Sequence, residues 1–179
     1  MHSSRLAASR LAITCTLACV LAAAGLSCGK KAPGTFTSRD GSFSTRLPAG
    51  WEVKENQENV AVIATDPSSQ SIFRPNVIVA LESVPDSEDL QAYMRMNMDS
   101  IRSVLTGFTM IGESALRISD SPAVRAEYSY TLGPVRVRVI SVYVIRNGKA
   151  FVLNCSGMDD DYGALRPVFE GVISAFVLN

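Results

Sequence analysis

An α+β fold, one antiparallel β-sheet accompanied by two main helices, is predicted by three features of the 179-residue sequence. Short β-rich runs follow one another with turn dipeptides between them, so neighbouring strands should pair antiparallel. Two longer stretches space their apolar residues at steps of three and four, the stripe of an amphipathic helix. From Val139 to Ile145 both alternating sets are apolar, with Val139, Tyr143 and Ile145 against Ile140, Val142 and Val144. A central strand covered on both faces requires that pattern, so the helices should be divided between the two sides of the sheet.

Thr35 to Arg46 places Phe36, Phe43 and Leu47 among polar residues around Asp40-Gly41, the signal of a two-residue hairpin turn. Leu47-Pro48-Ala49-Gly50-Trp51 is a turn leading into Trp51-Glu52-Val53, and Val60 to Thr65 is a β-rich run stopped by Asp66-Pro67. Asn76 to Val84 is another, stopped by Pro85-Asp86. From Ser87 to Leu105 the period changes, and Leu90, Met94, Met98, Ile101 and Leu105 form a helical stripe capped by Asp86 or Ser87 and stopped by Thr106-Gly107. Phe108 to Ile118, Ala123 to Leu132, Val135 to Arg146 and Lys149 to Gly157 are strands joined by tight turns, the clearest being Asn147-Gly148. Leu165, Val168, Phe169, Val172, Ile173 and Phe176 define a last helix entered through Asp159-Asp160-Asp161.

The amino-terminal segment has a different character. Met1 to Arg10 holds Arg5 and Arg10 and no acid, Leu11 to Ala24 is an apolar run of 14 residues, and small residues continue to Cys28. In a helix that run rises only about 21 Å, short of a hydrocarbon layer of about 30 Å, so it suits a removable signal peptide better than a membrane span. Gly25-Leu26-Ser27-Cys28 resembles the lipobox of bacterial lipoproteins, whose cysteine carries a diacylglyceryl group. Ser27 and Cys28 fit it, whereas Gly25 stands where the motif prefers Leu. The alternative is ordinary cleavage after Ala22-Ala23-Ala24, which leaves Cys28 a plain thiol. The lipobox reading divides the chain into a leader at 1–27, a lipidated tether at 28–34 and a folded domain at 35–179. It implies the membrane as a partner, and Gly29, in a position where Asp tends to retain such proteins at the inner membrane, favours the outer membrane.

Without the leader the chain carries 15 basic and 17 acidic residues, a balance that argues against nucleic acid as a partner. The only histidine, His2, leaves with the leader, as do Cys15 and Cys19. No Ser-His or Cys-His pair is then available, and no Cys-x-x-Cys, His-Glu-x-x-His or phosphate-binding glycine loop occurs. A Ser-Lys pair would have to use a lysine such as Lys54 or Lys149, both in surface-like contexts. Cys155 shares a strand face with Phe151 and Leu153 and is expected to be buried. Asp159-Asp160-Asp161 lacks the spaced ligands of a calcium loop and suits a helix cap better. Met94 and Met98 share a helix face while Met96 points away, which favours packing over copper binding. Arg136 and Arg138 share a strand face that Arg125 joins in a suitable register, a candidate surface for phosphate, lipid headgroups or an acidic partner, with Glu127 near enough to neutralise part of it.

Taken in order, Phe43-Ser44-Thr45-Arg46-Leu47-Pro48-Ala49-Gly50-Trp51, Ile72-Phe73-Arg74-Pro75-Asn76-Val77-Ile78-Val79, Asn147-Gly148-Lys149-Ala150-Phe151-Val152-Leu153 and Pro167-Val168-Phe169-Glu170 resemble the PsbP/DcrB-like family, which includes DcrB-related and LpqN-type lipoproteins. The resemblance spans roughly residues 35 to 178. It implies a PsbP-like α/β/α sandwich and a non-catalytic accessory or binding role in the cell envelope, with a protein partner there. It implies no cofactor, and it brings no catalytic residue to carry over. The competing readings are a structural component of an envelope complex and an uncharacterised enzyme.

Overall fold

The computed structural model describes residues 34–57 and 59–179. The leader, the lipobox and Cys28 lie outside these residues. Alternation of buried and exposed residues builds a seven-stranded sheet in the order β3 (Glu52–Gln57), β4 (Val60–Thr65), β5 (Asn76–Ser83), β9 (Lys149–Met158), β8 (Val135–Arg146), β7 (Ser121–Leu132) and β6 (Thr109–Ile118). Every neighbouring pair is antiparallel. A second sheet of three short strands combines β1 (Thr35–Thr37), β2 (Phe43–Arg46) and β10 (Val177–Leu178).

The β8 strand lies inside the large sheet, as its doubly apolar pattern requires. Ile140, Val142 and Val144 belong to one buried cluster, and Val137, Val139 and Tyr143 to the other. Helix α1 (Leu90–Val104) covers the second cluster through Tyr93, Met94 and Met98. Helix α2 (Tyr162–Ser174) and the small sheet cover the first, where Phe43, Phe151, Phe169 and Phe176 meet. The helices therefore lie on opposite sides of the sheet, and each buries one apolar stripe. Met96, on the far side of α1, is 43% exposed.

The β8–β9 connection is the expected tight turn, with Asn147 at φ 52° and Gly148 at φ 68°. Both central residues of such a turn need positive φ, which Asn tolerates and Gly adopts freely. The β1–β2 connection is longer than expected. It runs from Ser38 to Ser42, and the Asp40 carboxylate gathers it by accepting from the Ser38 hydroxyl at 2.8 Å, the Ser42 hydroxyl at 2.7 Å and the Ser42 backbone N–H at 3.1 Å.

Three helix-end expectations are corrected. Asp89, and neither Asp86 nor Ser87, caps α1 by accepting from the Ala92 N–H at 2.7 Å. Asp161 takes the cap position of α2 but makes no side-chain cap bond, because its helical backbone (φ −92°, ψ −4°) is not the extended geometry that aims a cap oxygen back at the first turn. The last helix ends at Ser174, so Phe176 lies beyond it. The chain turns there because β10 has a partner, with Val177 opposite Ser44 and Leu178 opposite Phe43.

Candidate functional site

Strand register decides what surrounds the three arginines. Residues directly opposite across β7 and β8 share a face. Arg125 stands opposite Val142, Glu127 opposite Ile140, Ser129 opposite Arg138 and Thr131 opposite Arg136. Arg125, Glu127, Arg136 and Arg138 thus share the side of the sheet that carries α2, beside the aliphatic rows of the core. Helix α2 lies against them and brings Tyr162 from its first turn and Glu170 from its third.

Glu127 is the centre of the cluster. It accepts from Arg138 Nε at 2.7 Å, pairs with Arg138 Nη2 at 2.6 Å and with Arg125 Nη2 at 3.4 Å, and accepts from the Tyr162 hydroxyl at 2.9 Å. Arg125 Nη1 also donates to both oxygens of Glu170, at 2.8 and 3.0 Å. Arg138 lies 4.3 Å from the centroid of the Tyr162 ring, a cation–π contact, and its Nη1 reaches Asp159 Oδ1 at 3.5 Å. Arg136 donates to the Ser129 hydroxyl at 2.7 Å and stands 3.9 Å from Asp159 Oδ2.

Partial burial would push the Glu127 carboxyl up. The bonds from Arg138 and Tyr162, together with both guanidinium charges, outweigh it and hold Glu127 below the usual carboxylate range. Burial and the bond to Glu127 push the Tyr162 phenol up to about 12. Desolvation opposes the charges of Arg125 and Arg138, but their carboxylate partners raise both.

Chemically the arrangement is a closed ion network, with Arg125, Arg136 and Arg138 facing Glu127, Asp159 and Glu170. The structure brings the three arginines onto one surface, yet places carboxylates between them. Glu127 has 13% of its side chain exposed, Arg125 17% and Arg138 27%, while Arg136 reaches 44%. Arg136, with the longest ion-pair distance of the three, is the accessible end. Sequence reading missed Glu170, Asp159 and Tyr162 as members. Asp159 follows β9 where that strand ends beside Arg136 and Arg138, and its i+1 and i+2 neighbours Asp160 and Asp161 disguise it as part of a cap.

The remaining candidates fall elsewhere. Cys155 is fully buried against Ile140 and Val77, and burial pushes its thiol well above the usual range. Lys149 gives its ammonium to Asp40 at 2.6 Å, and Lys54 lies on the exposed edge strand β3. That Lys149 contact lowers the Asp40 carboxyl below its ordinary range, with the Ser42 and Ser38 hydroxyls adding to the effect. A hollow of about 500 Å³ lies between the β1–β2 and β3–β4 connections, lined by Arg39, Asp40, Asn56, Asn59, Val60 and Leu81. Among the described residues no three His, Cys, Asp or Glu side chains are grouped to hold a metal. No described helix is long and apolar enough to cross a membrane.

An antiparallel sheet between a methionine- and tyrosine-faced helix and a second helix seated on an ion network defines a PsbP-like α+β sandwich. The family model for DcrB matches residues 41–174, and the chain belongs to that family. Solved structures share the fold at low sequence identity. Cyanobacterial PsbP (CyanoP) from Synechocystis sp. PCC 6803 superposes with a TM-score of 0.66 at 16% identity, covering 89% of this chain and 99% of its own. LpqN of Mycobacterium tuberculosis, described as involved in cell envelope biogenesis, gives 0.64 at 16% identity and covers 82% and 90%. The Ran-binding protein Mog1p of Saccharomyces cerevisiae gives 0.60 at 9% identity, covering 82% and 95%. No curated protein sequence matches the chain.

Proposed function

We propose that this chain is a lipoprotein of the bacterial envelope, anchored through Cys28, whose domain holds a protein partner at the membrane surface. The observation that carries the reading is Gly25-Leu26-Ser27-Cys28 directly after a 14-residue apolar run, only a few residues before the fold starts at Thr35. A tether that short keeps the domain within a few nanometres of the bilayer. The recorded role of LpqN in envelope biogenesis supports the setting. Gly29 favours the outer membrane in a cell that has one.

The candidate surface for the partner is the arginine cluster. Arg136 offers the exposed guanidinium, and Arg125 and Arg138 are held in fixed orientations behind it by Glu127 and Glu170. A planar guanidinium pre-oriented in this way suits a carboxylate or phosphate on the partner. Binding must displace or share Asp159, so the contact should be weak alone and strengthened by confinement to the bilayer.

Two measurements test the reading. Cells fed radiolabelled palmitate should incorporate it into the wild-type chain and not into Cys28→Ala, which should also leave the membrane fraction. Retention of Cys28→Ala on membranes after a high-salt wash would overturn the anchor. Arg136→Glu should reduce recovery of cross-linked envelope partners without releasing the chain from the membrane, and undiminished recovery would remove the arginine cluster from the proposal.

A further inference from the structure

The large sheet has two edges, β3 and β6, and they differ in how they are guarded. Edge strands present unpaired N–H and C=O groups and are usually protected by charge, bulges or distortion. Strand β3 is exposed throughout, carries Glu52, Lys54 and Glu55, and contains Asn56 in the left-handed region at φ 54°. Strand β6 is longer, Thr109–Ile118, and has one bulge, at Ile111 near its start. From Gly112 to Ile118 its register with β7 is unbroken. That stretch contains no proline and no lysine, and its only charges are Glu113 and Arg117, both exposed. Among the described residues neither has an ion-pair partner, and the Arg117 guanidinium donates to the backbone oxygen of Asp120.

We propose that β6 pairs antiparallel with β6 of a second copy of this chain, in the register that sets Ala115 opposite Ala115. A two-fold axis normal to the sheet relates two such strands, and opposed residues then share a face. Of the possible centres, Glu113 or Arg117 would each oppose a charge to itself. Centres at Ser114 or Leu116 leave both charges opposite uncharged residues. A centre at Ala115 places Glu113 opposite Arg117 twice, with Ser114 opposite Leu116 on the other face. Like charges directly opposed destabilise a strand pair and opposite charges stabilise it, so the charge pattern of β6 selects this register among those available.

The same axis preserves the faces of the sheet. Both small sheets, where the described fold begins at Thr35, lie on one side of the joined sheet, and both α1 helices on the other. Two chains tethered to one bilayer can therefore pair in this way, although the pairing does not require the tether.

The test uses the full-length chain with Ala115→Cys, oxidised with copper phenanthroline in isolated membranes and run on a non-reducing gel. Directly opposed residues of antiparallel strands have Cα atoms about 4.5–5.5 Å apart, within reach of a disulfide. Most of the chain should run as a dimer, while Val53→Cys on the β3 edge and the parent chain remain monomeric. Adding Arg117→Glu should lower the cross-linked fraction roughly fivefold or more, and combining it with Glu113→Arg should restore it. A monomeric Ala115→Cys chain, equal cross-linking through Val53→Cys, or indifference to the single charge reversal would each overturn the proposal. A covalent product with a different protein would do so as well, by assigning the edge to a partner's strand. The purified, unanchored chain carrying Cys28→Ala and Ala115→Cys should still cross-link, which separates this inference from the fate of the lipid anchor.

Discussion

The two faces of the large sheet solve burial differently. Under α1 the contacts are mostly apolar and no ion pair crosses them among the described residues, with Met94 and Met98 among the rings of Tyr93, Tyr128 and Tyr143. The Tyr93 hydroxyl donates to Glu82 at 2.8 Å, and Ser141 donates to Asn154 at 2.5 Å. Under α2 an aliphatic and phenyl core borders a network of charges centred on Glu127. Hydrophobic contacts tolerate small displacements, whereas a shared carboxylate fixes the distances of every group that donates to it. The α2 face should therefore be the one whose stability responds to salt and acid, and the one with the more sharply defined surface.

The largest expected effect tests what the α2 face owes to packing. Phe169 has no exposed area and touches Tyr162 at a ring-centroid distance of 6.4 Å. Phe169→Ala should cost about 3–5 kcal/mol, read from the urea midpoint, as expected for a fully buried phenyl group replaced by a cavity. Glu127→Gln should cost less, about 1–3 kcal/mol, because it leaves two partly buried guanidiniums without their shared charge while keeping an acceptor for Tyr162. This loss should shrink in 1 M salt, and a salt-independent loss would show that the network acts only through shape.

Acid sharpens the same contrast. The folded state holds Glu127 below its unfolded value. Its contribution is therefore complete above the unfolded carboxylate range near pH 4.3 and is lost as pH falls through the lower folded value. Urea midpoints measured from pH 6 down to pH 2 should fall less steeply in Glu127→Gln than in the wild type. Tyr93→Phe, on the other face, should cost about 1 kcal/mol by removing the bond to Glu82, with no dependence on salt. Burial and the Glu82 contact raise the Tyr93 phenol, so its contribution is complete below pH 10 and is lost at higher pH. Smallest of all, Arg136→Ala should change stability by less than about 1 kcal/mol, since its guanidinium is half exposed and its ion-pair distance long.

Much of this molecule can be read along the chain. The doubly apolar run at 139–145, the Asn147-Gly148 turn and the stripe through Met94 and Met98 each depend on near neighbours, and each has the expected place in the fold. Cys155 is buried because its strand face is shared with Phe151 and Leu153, again a local pattern. The β1–β2 hairpin of the small sheet was legible but its third strand was not, because β10 is two residues long and exists only where β2 meets it after more than a hundred residues of intervening chain. The α2 cap did not form because Asp161, at the cap position, has a helical backbone. Asp159 instead lies beside two guanidiniums on β8, and nothing near it in the chain announces them.

Period and punctuation determined the sheet, the helices and the division of the helices between its faces, since those follow from which residues must leave water and how a strand or helix repeats. Tertiary structure alone decided the chemistry of the arginine surface. A guanidinium's availability depends on which carboxylates lie within about 4 Å, and here Glu127 on β7, Asp159 in the β9–α2 turn and Glu170 on α2 are brought together only by strand register and the docking of α2.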